Sequence, residues 1–347
     1  MDFFTNIMKL AKNRYLHFLD QFSKAVKAAI KEHRADQKLH PAILLHAKDG
    51  RTPCFMLQAL SRIDSKISRH ADLAEIWLDE YKSLEDGLGK IDYWVAYSEQ
   101  NNQWKFPAAI QSYFITQQNI AAGVMEERLI KHGWMTKELD GSFQYSNQAI
   151  ERFNKQAQKA DWFKSKKEQQ KLLSFFEDEV LEIQEKLESK EIDLNKLEEG
   201  VHELRRKFRW LAIYSVALQG KIAIGKSSKE GALSEFVTPE RLALPFNQLP
   251  KNKAEEDLIY FLPGAYFVMS DVISSIGDIK DPGLATEEFE KIGPWFGLNH
   301  NQIKRHLGKD FKTHQKVVSE TKNLIQKYII DEQLLMHMAA YFKNQIK

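Results

Sequence analysis

Between Val201 and Tyr214 the chain reads VHELRRKFRWLAIY, and this stretch constrains the fold more than any other. Its apolar residues Val201, Leu204, Phe208 and Leu211 recur at alternating spacings of three and four, the pattern of a helix that buries one face. At about 100° per residue, His202, Arg205, Arg206 and Arg209 fall together on a neighbouring stripe. The helix carries a packed side and a polybasic side at once, and so becomes the charged seam of the second half of the chain.

The remainder reads as helix as well. Only 16 Gly and 9 Pro occur in 347 residues, and runs of β-branched residues are few. From about Asp2 to His33, Ile7, Leu10, Tyr15, Phe18, Phe22 and Val26 repeat at helical spacing. The other face holds Lys9, Lys12, Lys24, Lys27 and Lys31, which reads as a solvated bundle face rather than a membrane-surface helix. A loop is expected over Leu39–Arg51, followed by a helix capped by Thr52 with Pro53 at its first position. Further helices are expected over about Asp72–Glu99, Pro107–His132, Asn147–Lys159 and Phe163–Ser189. Gly87 and Gly89 inside the first of these point to close backbone approach or a bend. Asp140-Gly141 marks the turn of a short hairpin within KHGWMTKELDGSFQYSN, and Asp193 is placed as the cap of the central helix. Gly220, Gly225, Ser227, Ser228, Gly231, Pro239, Pro245 and Pro250 make 220–253 an irregular insertion. Helix is expected again from about Ala254, with a bend at Pro282-Gly283 and a last long helix from Phe311 to Asn344.

Bulk properties exclude several classes. Lys plus Arg number 50 against 48 Asp plus Glu, a net charge of +2, so the broad basic excess of a nucleic-acid binder is missing and an anion site has to be a local cluster. With 43% hydrophobic residues the core is ample. The single cysteine, Cys54, excludes an internal disulfide and a multi-cysteine zinc site, and its setting fits a small packed residue rather than a nucleophile. No run reaches the length of a membrane span, and the charged N-terminal stretch lacks the pattern of a secretory signal. A cytoplasmic protein with no membrane and no nucleic-acid partner is expected.

Two features recur in the same order. A histidine with basic neighbours (His46, Lys48, Arg51; then His202, Arg205, Arg206, Arg209) precedes an apolar-Gly element, Leu88-Gly89-Lys90-Ile91-Asp92 and then Ile276-Gly277-Asp278-Ile279-Lys280-Asp281. On these residues the chain resembles the CHAD family, the conserved-histidine α-helical domains. His202 and Arg205 match the family's His-x-x-Arg, and SDVISSIGDIKD is similar to its second LG-type element. Ala212 and Ile213 stand where the family usually has another Arg and a Tyr, and Asp92 lies one residue early relative to Asp281. The resemblance implies an all-α fold of two related antiparallel helical bundles, duplicated four-helix halves packed side by side, with a basic groove that binds inorganic polyphosphate. The halves are expected at 1–132 and 163–347, joined by a connecting segment at 133–162.

The residues expected to hold a polyanion are therefore His202, Arg205, Arg206, Arg209, His46, Lys48, Arg51, Arg62 and Lys66, because phosphate recognition needs several Lys and Arg converging on charged acceptors. The competing reading is a solvated basic face neutralised from within, for instance by Glu198 one turn before His202. A metal held by His46 and His202 is outweighed by ordinary hydrogen-bonded histidines. His300, His306 and His314 read as surface residues in a second, weaker basic stretch with Lys304, Lys309, Lys312 and Lys316. No nucleotide loop, nucleophile elbow or zinc-protease motif occurs, so a non-enzymatic module without a cofactor is expected. Its alternative is a relative that binds no anion and serves as a protein-interaction scaffold.

Overall fold

The computed structural model describes residues 10–226, 233–251 and 256–346 and is all-α with very short strands. The expected helical residues before Leu10, the positions Ser227, Ser228 and Gly231 of the insertion, and the expected helix start at Ala254 lie outside the described residues. The chain forms two compact units, Met1–Phe163 and Lys164–Lys347.

In the first unit, helices α1 (Leu10–Ala35), α2 (Pro41–Ala47), α3 (Arg51–Ile67), α4 (Ala71–Trp104) and α5 (Ala108–Lys131) lead to the hairpin β1 (Met135–Lys137) and β2 (Phe143–Tyr145), and then to α6 (Gln148–Ala157). Helix α1 buries Tyr15, Phe18, Phe22 and Val26, the stripe its spacing predicts. The expected loop at Leu39–Arg51 instead contains α2, where the His40 side chain accepts from Ala42 N and Pro41 takes the first position. Seven residues are too few to show a period, so His40-Pro41 was the only signal. Helix α3 starts earlier than Thr52: Gly50 is its flanking residue, and the Thr52 hydroxyl donates to Asp49 Oδ1 at 2.6 Å. Helix α4 runs unbroken through Gly87 and Gly89, and both glycines are met by side chains of neighbouring helices.

The hairpin pairs Met135 with Tyr145 and Lys137 with Phe143 and turns at Gly141, whose φ of 83° suits glycine. The expected connecting segment 133–162 belongs to the first unit's core. Trp134 packs edge-on against Phe22 at 4.7 Å between ring centroids, and Phe153 lies 5.3 Å from Tyr15 and 4.9 Å from Trp77. Burying a phenylalanine of this kind contributes about 1.5–3 kcal/mol.

The second unit comprises α7 (Ser165–Glu188), a π-helical turn (Leu197–His202) continuing into α8 (Glu203–Ala217), β3 (Ile222–Ile224), the short α9 (Pro239–Ala243), β4 (Ile259–Phe261), α10 (Pro263–Ile292), α11 (His300–Leu307), α12 (His314–Ile325) and α13 (Leu334–Lys343). Strands β3 and β4 pair in parallel, Ile222 opposite Ile259, where irregular chain was expected on one side and helix on the other. Four apolar residues of the central stretch, Val201, Leu204, Phe208 and Leu211, are fully buried, as their spacing predicts. Asp193 does not cap this helix. Its carboxylate accepts from Asn195 N within the preceding turn, and Lys196 stands at the helix start. A Cβ at Gly200 would lie 1.8 Å from the Asp193 carbonyl oxygen, so the turn admits no side chain there.

Helix α10 passes through Pro282 where a bend was expected. Proline cannot donate to the carbonyl four residues back, and that carbonyl, Asp278 O, is approached by Lys312 Nζ at 3.4 Å. The expected last long helix is several pieces. After α12 come a π-helical turn, Gln326–Asp331, and then Gln333 in the left-handed region at φ 49°, which resets the direction before α13.

Candidate functional site

Within the first unit the site is built where the start of α3 meets the middle of α4. Glu85, Gly89 and Asp92 lie at i, i+4 and i+7 and so share one face of α4. The missing side chain at Gly89 admits the Arg51 guanidinium: a Cβ there would stand 2.7 Å from Nη2. Arg51 donates from Nε and Nη2 to Glu85 Oε1 at 3.0 and 2.8 Å, and from Nη1 to Asp92 Oδ2. His46 Nε2 is 2.9 Å from Asp92 Oδ1, and this hydrogen bond, aided by Arg51, holds the Asp92 carboxyl below the usual range against the opposing pull of burial. Lys48 pairs with Glu32 at 2.5 Å. Arg62 and Lys66 are not brought to this cluster. At 1.5 Å per residue they lie roughly 16 and 22 Å further along α3. One turn after Arg51, Cys54 is fully buried, and burial pushes its thiol well up.

In the second unit, α8 meets α10 in the same way. Here a Cβ at Gly277 would stand 2.8 Å from Arg205 Nη2. Counted from its glycine, however, the face of α10 carries Ile273 four residues back and Lys280 three residues on, where α4 carries Glu85 and Asp92. Arg205 Nε donates to the Ile273 carbonyl at 2.9 Å, and no carboxylate of the described residues pairs with its guanidinium. Lys280 is buried, 3% exposed, and pairs with Asp281, the acid that sits one position later than Asp92 in its own element.

His202 stands at the junction of the π-helical turn and α8. Its Nε2 is 3.9 Å from Glu198 Oε1, and its buried Nδ1 has no hydrogen-bond partner among the described residues. Burial lowers the pKa of His202, and Lys280, Arg206 and Arg205 press it further down while Glu198 pulls the other way. The imidazole therefore favours its neutral form at pH 7. Arg206 is exposed and paired with Glu203; Arg209 follows one turn after Arg205 and is half-buried.

The local charge of the two clusters differs as a result. Arg51 is matched by two carboxylates, which leaves little attraction for an added anion. Arg205 has none among the described residues and lies near His202, whose pKa burial lowers first and Lys280, Arg206 and Arg205 lower further. Sequence reasoning singled out the arginines and the two glycine elements but missed Glu85 and Lys280, which decide the charge. The signal was present in the i, i+4, i+7 face read outward from each glycine.

The basic stretch near the C-terminal end is partly neutralised too. Lys312 pairs with Glu320 at 2.9 Å, and His300 Nδ1 is 2.7 Å from Glu290 Oε1. His314 lies between the Asn195 carbonyl, 2.7 Å from Nε2, and Glu287, 3.3 Å from Nδ1; both acceptors raise its pKa. Trp77 and Trp104 are buried, whereas Trp295 is 63% exposed. No described helix is long and apolar enough to cross a membrane. Compared with known proteins, the chain matches no family model, no curated protein and no solved structure.

Proposed function

We propose that the chain is a non-enzymatic, cytoplasmic helical module that binds a polyanion, inorganic polyphosphate in the first instance, through the arginine face of α8. The observation that carries this reading is Arg205, laid on Gly277 without a carboxylate partner and next to Lys280 and His202. Polyphosphate offers closely spaced charged oxygens to such a guanidinium, and Arg209 one turn on extends the row. The resemblance to the CHAD family and the recurrence of an arginine packed on a helix glycine in each unit favour the same reading, with the two units as copies of one helical design. Charge reversal at Arg205 and Arg209 should abolish polyphosphate binding measured by calorimetry. Unchanged affinity would rule out this face.

The second reading is a protein-interaction scaffold that holds no anion. It is favoured by the carboxylates already bound to Arg51, Lys48 and Arg206. It is the reading left standing if polyphosphate fails to bind at low salt.

A further inference from the structure

The lysine-rich face of α1 reads from sequence as a solvated surface, but the hairpin turns part of it into a cleft. Lys27, Lys31 and Arg34 lie at i, i+4 and i+7, within an arc of about 60° and a rise of about 10 Å. Strand β2 walls this stripe: Arg34 Nη2 donates to the Phe143 carbonyl at 3.0 Å, and Ser23 Oγ is 2.7 Å from Tyr145 Oη. Between them is a cleft of about 440 Å³ lined by Lys27, Ile30, Lys31, Arg34, Gln144 and Tyr145.

What distinguishes this cleft from the clusters above is its charge balance. Of the acids near in sequence, Asp20 pairs with Lys24 at 2.6 Å, Glu32 with Lys48 at 2.5 Å, and Asp36 accepts from Lys38 N at 3.1 Å. No carboxylate of the described residues pairs with Lys27, Lys31 or Arg34. Favourable interaction with the helix dipole accounts for Arg34 in the last turn but falls off before Lys27. Lys27 Nζ sits 4.3 Å from the centre of the Tyr145 ring, so one cation is held over the cleft wall. Arg34 spends one of its five N–H groups on Phe143 and retains the rest.

We propose that this cleft is an anion site for a phosphoryl group, distinct from the arginine face of α8 and independent of the polyanion reading. A tetrahedral dianion suits two ammonium groups followed by a guanidinium along one stripe, with the Gln144 amide as a further donor. Free phosphate and a phosphate monoester present the same chemistry, and comparing them identifies the source.

The test is a titration of the full chain with inorganic phosphate and, separately, with glycerol 2-phosphate. It is followed by calorimetry and by the amide shifts of Gln144 and Tyr145. Binding should move those two amides and weaken as salt rises, since exposed charges are screened. The triple substitution Lys27→Gln, Lys31→Gln, Arg34→Gln should weaken it at least about tenfold, and Lys31→Gln alone about threefold. The single variant guards against a folding artefact. Arg205→Gln should leave these amide shifts in place, so failure here and failure of the α8 reading are separable. Tighter binding of the ester identifies it as the source, and tighter binding of inorganic phosphate identifies the free ion. Absence of shifts at Gln144 and Tyr145 in the wild-type chain, or shifts that survive the triple substitution, would overturn the proposal.

Discussion

A methyl group added at Gly89 or Gly277 meets an arginine in either case, yet the consequences should differ. Alanine is favoured over glycine inside a helix by about 1 kcal/mol. Against this, Gly89→Ala must displace Arg51 from Glu85 and Asp92, and hydrogen bonds to charged groups are each worth about 1.5–3 kcal/mol. Gly277→Ala displaces Arg205 from a single backbone carbonyl. Chemical denaturation should therefore find Gly89→Ala destabilised by about 1–3 kcal/mol and Gly277→Ala within about 1 kcal/mol of the parent. His202 supplies a second prediction at this scale. Its pKa is lowered in the folded chain, so the unfolded state binds the extra proton and stability rises with pH from the depressed value up to the ordinary 6.5. Stability should fall as pH drops below that window, and His202→Gln should flatten the dependence. A polyanion bound beside Arg205 would raise the imidazole pKa, so proton uptake on binding should appear in calorimetry run in buffers of different ionisation enthalpy.

Among the elements, α10 shows how a helix-breaking residue is accommodated. Pro282 leaves the Asp278 carbonyl without its helical donor, and Lys312 approaches that oxygen while pairing with Glu320. Pro282→Ala should stabilise the chain by about 1 kcal/mol, a fraction of the usual cost of an interior proline. In a double-mutant cycle followed by thermal melting, Lys312→Met should cost less in the Pro282→Ala background than alone. Equal costs would mean that Lys312 acts only through Glu320. Long elements were legible in the sequence: α1, α7 and α8 sit where helical spacing of apolar residues places them, α4 and α5 close to their expected ranges, and the Asp140-Gly141 turn closes the expected hairpin. What was not legible depended on partners distant in sequence. Strand β3 exists because Ile259 to Phe261 pair with it, and α10 survives Pro282 with help from a lysine thirty residues on. Helix α2 was too short to show a period, and the break at Gln333 is a backbone choice that its side chain does not announce.

Over the whole molecule, two units carry an arginine on a helix glycine, but with opposite charge surroundings. The arginines and glycines could be read from local motifs. The charge contrast needed the further step of reading the i, i+4, i+7 face outward from each glycine. Knowing which residues that face meets needed the fold, because Arg51 meets Glu85 and His202 meets the field of Lys280 across separations of 34 and 78 positions. A nearly neutral chain thus concentrates unmatched positive charge at Arg205 and, separately, in the Lys27–Lys31–Arg34 cleft. The most direct test is a titration of the full chain with long-chain polyphosphate at low and at high salt, repeated with Arg205→Gln and with Arg51→Gln. Binding should weaken steeply with salt, because each phosphate contact releases condensed counterions. Arg205→Gln should weaken it about tenfold, the loss of one charge-assisted contact, while Arg51→Gln leaves it within about twofold once folding is verified. No binding at low salt, or equal loss from both substitutions, would contradict a polyanion site centred on Arg205.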